Sequence, residues 1–178
     1  VVFLLDGSES VDAEDFEKMK EMMELVIDKF TIGLDKERVA VVQYGTDTNE
    51  EFPLNAFDNK ATLLENIRNI KQMNGKTNTG KALLEVAESF EISNGGRPDA
   101  LKFLIVLTDG ESRDDVAGPA KVLRESSINV NAIGMRHANR SQILAIAGSH
   151  DGVFYEDAVA SPKELMSQVL LKICSTGR

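Results

Sequence analysis

Cysteine occurs once in these 178 residues, so no internal disulfide framework can staple the fold. Stability must come from ordinary apolar burial, and a chain of this length can supply a core for one domain. No apolar run approaches the ~20 residues that a helix needs to cross a bilayer, so membrane insertion is not expected. Thirteen glycines and four prolines are too few for a collagenous or disordered segment. Positive charge is also scarce. Twenty Lys and Arg face 29 Asp and Glu, giving a net charge of -9. With no basic run to offset it, that charge repels a phosphate backbone and argues against nucleic acid as a partner. Neither G-x-G-x-x-G nor G-x-x-x-x-G-K-[ST] is present, which leaves nucleotide binding without support. The two histidines, His137 and His150, stand in polar stretches with no Ser or Cys placed as a nucleophile, and read as surface residues.

The opening run Val1-Val2-Phe3-Leu4-Leu5 has no basic start and gives way at once to acidic and polar residues, unlike a signal peptide. It reads as a strand whose parent chain continues upstream. Cys174 is either a buried free thiol or a thiol whose partner lies outside the segment, and its place near the end favours the second. Asn139-Arg140-Ser141 is the one glycosylation sequon, compatible with secretion without showing it.

What the sequence does contain is alternation. Strand-length apolar runs recur at Val1–Leu5, Val39–Val42, Phe103–Leu107, Ile128–Ile133 and Val153–Tyr155, several uninterrupted, as in strands covered on both faces. Helical patterns lie between them. Phe16, Met19, Met23, Val26, Ile27 and Phe30 share one face. Further stripes run through Leu63, Leu64 and Ile67; through Leu83, Val86, Ala87 and Phe90; and through Val116, Ala120 and Leu123. Ser161, Pro162 and Glu164 open a last helix through Leu165, Val169 and Ile173. Such alternation predicts an α/β fold: a Rossmann-like, doubly wound, mostly parallel central sheet with helices on both faces. Glu51–Leu54 is expected to return antiparallel as a short edge strand, where Pro53 would be tolerated. Residues 1–178 are expected to form a single domain.

In open α/β sheets ligands bind beyond the carboxyl ends of the strands. Two apolar runs end there on aspartate: Asp6-Gly7-Ser8-Glu9-Ser10 after the first, and Asp109-Gly110-Glu111-Ser112 after Ile105–Thr108. Asp6, Ser8 and Ser10 alternate in a loop and can converge on one point, with Gly7 permitting a tight path. Thr77, in the loop Gly75–Gly80, offers a further hydroxyl. Hard oxygen donors without His or thiolate suit Mg²⁺, Mn²⁺ or Ca²⁺ and argue against zinc or copper. Two blander readings stay open, a helix-capping loop and a plain hydrogen-bond network. Asp114 and Asp115 are expected to cap the helix that follows them, and Glu9 to be solvated. A phosphoryl-transfer hydrolase would use a second aspartate two positions after the first. Serine stands there, so catalysis is not expected.

Asp6, Ser8, Ser10, Thr77 and Asp109 together resemble the metal-ion-dependent adhesion site of the von Willebrand factor A domains, a family that includes integrin inserted domains, matrilins and collagen A modules. The likeness extends to Val41-Val42-Gln43-Tyr44, Thr77–Leu83 and Ile133-Gly134. Asp114-Asp115-Val116, Gly118-Pro119-Ala120, Leu123 and Ile128-Asn129-Val130 look most like the A modules of type VI collagen chains. The resemblance implies that Ser8, Ser10 and, in the ligand-competent state, Thr77 contact the cation, with Asp6 and Asp109 acting directly or through water. It implies an adhesion module of a secreted extracellular-matrix protein, cut from a larger multidomain chain. Its partner would be a matrix or cell-surface protein presenting an acidic residue. The alternative is a structural module that assembles with sister modules while its metal site is silent or only stabilising. Gly134–Ser141 leaves little room for the extra short helix of collagen-binding integrin domains, so an integrin-like grip on collagen is not expected.

Overall fold

The computed structural model describes residues 1–176; Gly177 and Arg178, the end of the expected domain, lie outside the described residues. Six strands form one sheet: β1 Val2–Asp6, β2 Ala40–Tyr44, β3 Thr48–Phe52, β4 Lys102–Thr108, β5 Ile128–Gly134 and β6 Val153–Tyr155. Their order is β3-β2-β1-β4-β5-β6, all parallel except β3, which runs antiparallel to β2. Helices α1 Ala13–Ile27, α2 Lys60–Arg68, α3 Thr79–Glu85, α4 Ala117–Glu125, α5 Arg140–Ala147 and α6 Pro162–Ser175 cover the sheet.

The uninterrupted apolar runs are explained by burial on both sides. In β1, Phe3 and Leu5 face the layer built by α1, α2 and α6, while Val2 and Leu4 face the layer of α3, α4 and α5. All four are fully buried. Each such side chain contributes about 1.5–3 kcal/mol relative to exposure. The first layer is rich in methionine, with Met19, Met22, Met23, Met135 and Met166, whereas the second holds only aliphatic and aromatic residues.

Three sequence expectations need correction, and one helix escaped the sequence reading. The edge strand is Thr48–Phe52, three residues earlier than Glu51–Leu54, because a tight turn after Tyr44 pairs it at once with Thr48. Pro53, which has no N–H to give, lies just past the strand. Helix α5 was not legible as a helix. Its apolar stripe is only Ile143, Ile146 and Ala147, and its start signal, Asn139, coincides with the sequon. Asn139 Oδ1 accepts from the Gln142 amide, and left-handed Gly148 closes the other end. The third helical stripe is α-helical only as far as Glu85 and continues as a 3₁₀ segment, Val86–Phe90. Cys174 is an exposed free thiol, which removes the buried alternative.

The chain leaves β1 toward β2 and β3, then crosses back to β4 on the other side of β1. The crevice where strand order reverses therefore lies between β1 and β4, and both strands carry an aspartate to that rim.

Candidate metal site

Asp6 is the last residue of β1 and is fully buried. Both carboxylate oxygens are engaged: Oδ1 accepts from the Ser8 amide at 3.0 Å and the Ser8 hydroxyl at 2.6 Å, and Oδ2 accepts from Thr108 Oγ1 at 2.6 Å. Thr108 ends β4, so this bond ties the two central strands together at the rim. Ser8 Oγ in turn accepts from Thr77 Oγ1 at 2.8 Å and lies 3.0 Å from Ser10 Oγ, which is 3.3 Å from Thr77 Oγ1. The three hydroxyls form a small triangle with Ser8 as its hub. Ser8 and Thr77 are buried, while Ser10 faces solvent and Asp109 is half-buried, so the group opens outward on one side.

Burial first, and then the charge of Asp109, raise the Asp6 pKa to about 6 against the lowering effect of the hydrogen bonds from Ser8 and Thr108. Two carboxylates thus lean on each other across the crevice beside three neutral hydroxyls. Among the described residues no cluster of three or more His, Cys, Asp or Glu is found, so any cation held here meets a hydroxyl-rich oxygen shell, not a carboxylate cage. The donor chemistry and spacing both fit a small hard cation. Octahedral coordination at 2.0–2.1 Å separates adjacent oxygens by about 2.9 Å; two of the triangle's edges, 2.8 and 3.0 Å, lie close to that value and the third, 3.3 Å, is longer.

Three loops carry these residues and each is locked to the others. The Asp6–Val11 loop meets the Ile70–Asn78 loop through Asn74 N to Gly7 O at 2.8 Å and Glu9 N to Gly75 O at 2.8 Å. The Ile70–Asn78 loop meets the loop after β4 through Arg113 N to Thr77 O at 2.9 Å. Asp114 strengthens that junction by capping α3, accepting from Gly80 N at 2.7 Å and Lys81 N at 2.8 Å. Only Asp115 caps α4, accepting from Ala117 and Gly118, so the expectation for Asp114 was wrong about which helix it serves. Burial pushes the Asp114 carboxyl up, but Ser112 and the two amides outweigh it and hold its pKa below the ordinary value.

All five residues singled out in the sequence meet at this rim. Glu9 is exposed, as expected, and His137 and His150 lie on the surface. Five residues separate β5 from α5 without an intervening helix, matching the short connection read from the sequence. Sequence reasoning missed Thr108, Gln43 and Gln72. Gln43 gave a signal that went unused: it is a fully buried amide within the apolar strand β2.

Residues 1–168 match the family model of the von Willebrand factor type A domain. The chain is 41% identical over 176 residues to the collagen alpha-4(VI) chain of Mus musculus, which covers 99% of the chain and 8% of that protein. It is 38% identical over 175 residues to the human collagen alpha-5(VI) chain, covering 98% of the chain and 7% of that protein. It therefore spans under a tenth of these curated relatives. Among solved structures, proximal thread matrix protein 1 of the mussel byssus superposes with a TM-score of 0.89 at 27% identity, covering 97% of this chain and 47% of that one. The same mussel protein with a zinc-occupied MIDAS motif gives a TM-score of 0.83 at 28% identity, covering 97% and 46%. The expectation that oxygen donors turn zinc away does not extend to that neighbour. The rim geometry, the sheet order and these likenesses agree: the chain belongs to the von Willebrand factor type A domain family and is similar to the A-type modules of type VI collagen chains.

Proposed function

We propose that Asp6, Ser8, Ser10, Thr77 and Asp109 hold a divalent cation, and that through it the domain binds a carboxylate on an extracellular-matrix or cell-surface protein. The observation that carries this reading is the hydroxyl triangle set against two mutually repelling aspartates. Ser8, Ser10 and Thr77 are neutral donors, so they orient a cation without quenching its charge. Asp6 and Asp109 supply the anionic side of the shell, and a cation near them relieves their repulsion. When bound, the ion supplies Lewis acidity toward an anionic oxygen at its open position, and the exposed side beyond Ser10 leaves room for one. Two of the hydroxyl separations, 2.8 and 3.0 Å, fit Mg²⁺ or Mn²⁺, while the third, 3.3 Å between Ser10 and Thr77, reaches the range of about 3.3–3.7 Å that the longer Ca²⁺ bonds of 2.3–2.6 Å need.

The reading assigns no chemistry to the rim. A hydrolase would need an acid–base group two residues beyond Asp6, and Ser8 stands there with its hydroxyl committed to Asp6. The names of the collagen relatives support a secreted, extracellular-matrix setting, and the zinc-occupied motif of the mussel protein supports a cation at this rim.

The test is thermal melting and calorimetry with Mg²⁺ or Mn²⁺, paired with capture of matrix proteins by the domain with and without a chelator. Saturable stabilisation is expected, about 2.7 kcal/mol at 100 times the dissociation constant. Absence of heat and of any melting shift would overturn the metal site. Capture that ignores the chelator would favour the structural-assembly role instead.

A further inference from the structure

We infer that two glutamines outside the ligand set, Gln43 and Gln72, act in series as positioning residues for the cation site; this rests on the metal-binding reading above. Thr77 does not lie on a strand or helix. It rides on the irregular segment Ile70–Asn78, yet its hydroxyl must sit within 2.8 Å of Ser8 and 3.3 Å of Ser10 for the triangle to exist. Backbone bonds such as Asn74 N to Gly7 O and Glu9 N to Gly75 O hold its later half, where Asn74 and Gly75 take positive φ of 67° and 87°, but they leave residues 71–73 to be placed by side chains.

Side chains supply the missing constraint. Gln43 projects from β2 and is fully buried. Its Oε1 accepts from Met73 N at 2.7 Å, and its Nε2 donates to Lys71 O at 2.9 Å and to Glu51 Oε1 at 2.8 Å. One amide thus grips the segment on both sides of residue 72. From between those two contacts Gln72 reaches the other way, its Nε2 donating to Ser8 O at 3.1 Å and Val11 O at 2.8 Å. Gln43 fixes where Gln72 starts, and Gln72 fixes how far the serine loop stands from the threonine segment. Lys20 anchors the segment's entry, donating to Arg68 O at 2.7 Å and Ile70 O at 3.0 Å.

The same amide fills the space that a side chain at residue 7 would need. A Cβ there would lie 1.9 Å from Gln43 Oε1, so the amide would have to shift and strain its bond to Met73 N. Gln43 therefore backs the serine loop by contact and the threonine segment by hydrogen bond.

Supporting partners of ligands typically change metal affinity by 10–100-fold when removed. The test uses Gln72→Met, which keeps the side-chain volume and loses the donor, together with Gln43→Leu and the double variant. Mn²⁺ affinity is read by calorimetry, and melting is read in chelator and in saturating Mn²⁺. Each single variant is expected to weaken Mn²⁺ binding tenfold or more, and the double variant no more than Gln43→Leu alone, because the two act in series. A merely structural role would lower both melting temperatures equally and leave the affinity unchanged, which overturns the inference. Additive losses in the double variant would overturn the serial arrangement. If Gln43→Leu fails to fold, the affinity of Gln72→Met, at a half-buried position, decides alone. Wild-type protein that takes up no Mn²⁺ would defeat the metal-binding reading itself, a result separate from unchanged affinity in the variants.

Discussion

The interior of β1 and its carboxyl end are equally buried but are held in opposite ways. Val2, Phe3, Leu4 and Leu5 are shut off from water by apolar neighbours above and below, while Asp6 and Ser8, just as inaccessible, are surrounded by oxygen and amide groups. Burial alone therefore says nothing of what a position does. In the interior the energy resides in volume, so any well-shaped apolar residue serves. At the rim it resides in directed hydrogen bonds and in charge left deliberately close to charge, and only certain atoms serve.

Substitutions can test that contrast, beginning with the largest effect. Leu4→Ala, which opens a cavity between β1 and the α3–α5 layer, is expected to cost about 2–5 kcal/mol in chemical denaturation. The loss should be the same with and without divalent cation; a loss that cation reverses would erase the distinction between interior and rim. Gly7→Ala comes next, at about 1–3 kcal/mol, since the added methyl drives into the pinned Gln43 amide. Unlike the core variant it should also abolish the metal-induced shift in melting temperature.

Asp114→Ala removes the cap on α3 and is expected to cost about 1 kcal/mol at neutral pH. The folded pKa of Asp114 lies below the ordinary aspartate value. Its contribution is therefore complete above that value and is lost as pH falls through the folded pKa. Wild type and variant should converge in stability under acid, and a gap that persists at low pH would refute the capping role. The smallest change in fold stability is expected for Asp109→Ala. In chelator its melting temperature should match or slightly exceed wild type, because the charge that raises the Asp6 pKa is gone. Metal-induced stabilisation and chelator-sensitive capture should both vanish. Retention of either would remove Asp109 from the site.

The same contrast explains what could be read in advance. Interior strands and the long helices announce themselves because apolar periodicity is local: Phe3, Val41 and Ile105 are legible from their neighbours in sequence. The five site residues were legible because residue type and spacing suffice when oxygen donors alternate in a loop. What escaped was whatever depends on two distant segments meeting. Asp114 was assigned to the helix beside it in sequence and serves the helix beside it in space. Thr108 and Gln72 act on partners 102 and 61–64 positions away, beyond the reach of any pattern in one chain. The α5 helix failed for a different reason: its capping residue, Asn139, was read as part of a glycosylation sequon and not as a helix start.

The bond between Thr108 and Asp6 also bears on how the domain is made. Its partners are 102 residues apart in sequence. On a ribosome adding 5–20 residues per second, the first aspartate would wait about 5–20 s before β4 has been synthesised to pair with it. Until then its carboxylate has neither Thr108 nor Asp109 beside it, and β1 lacks one of its two neighbours. The rim is consequently a late product of folding, assembled only when parallel strands of high contact order have closed around β1. A chain truncated before β4 would carry Asp6, Ser8 and Ser10 without forming the site, so competence at the rim reports that β4 has joined β1.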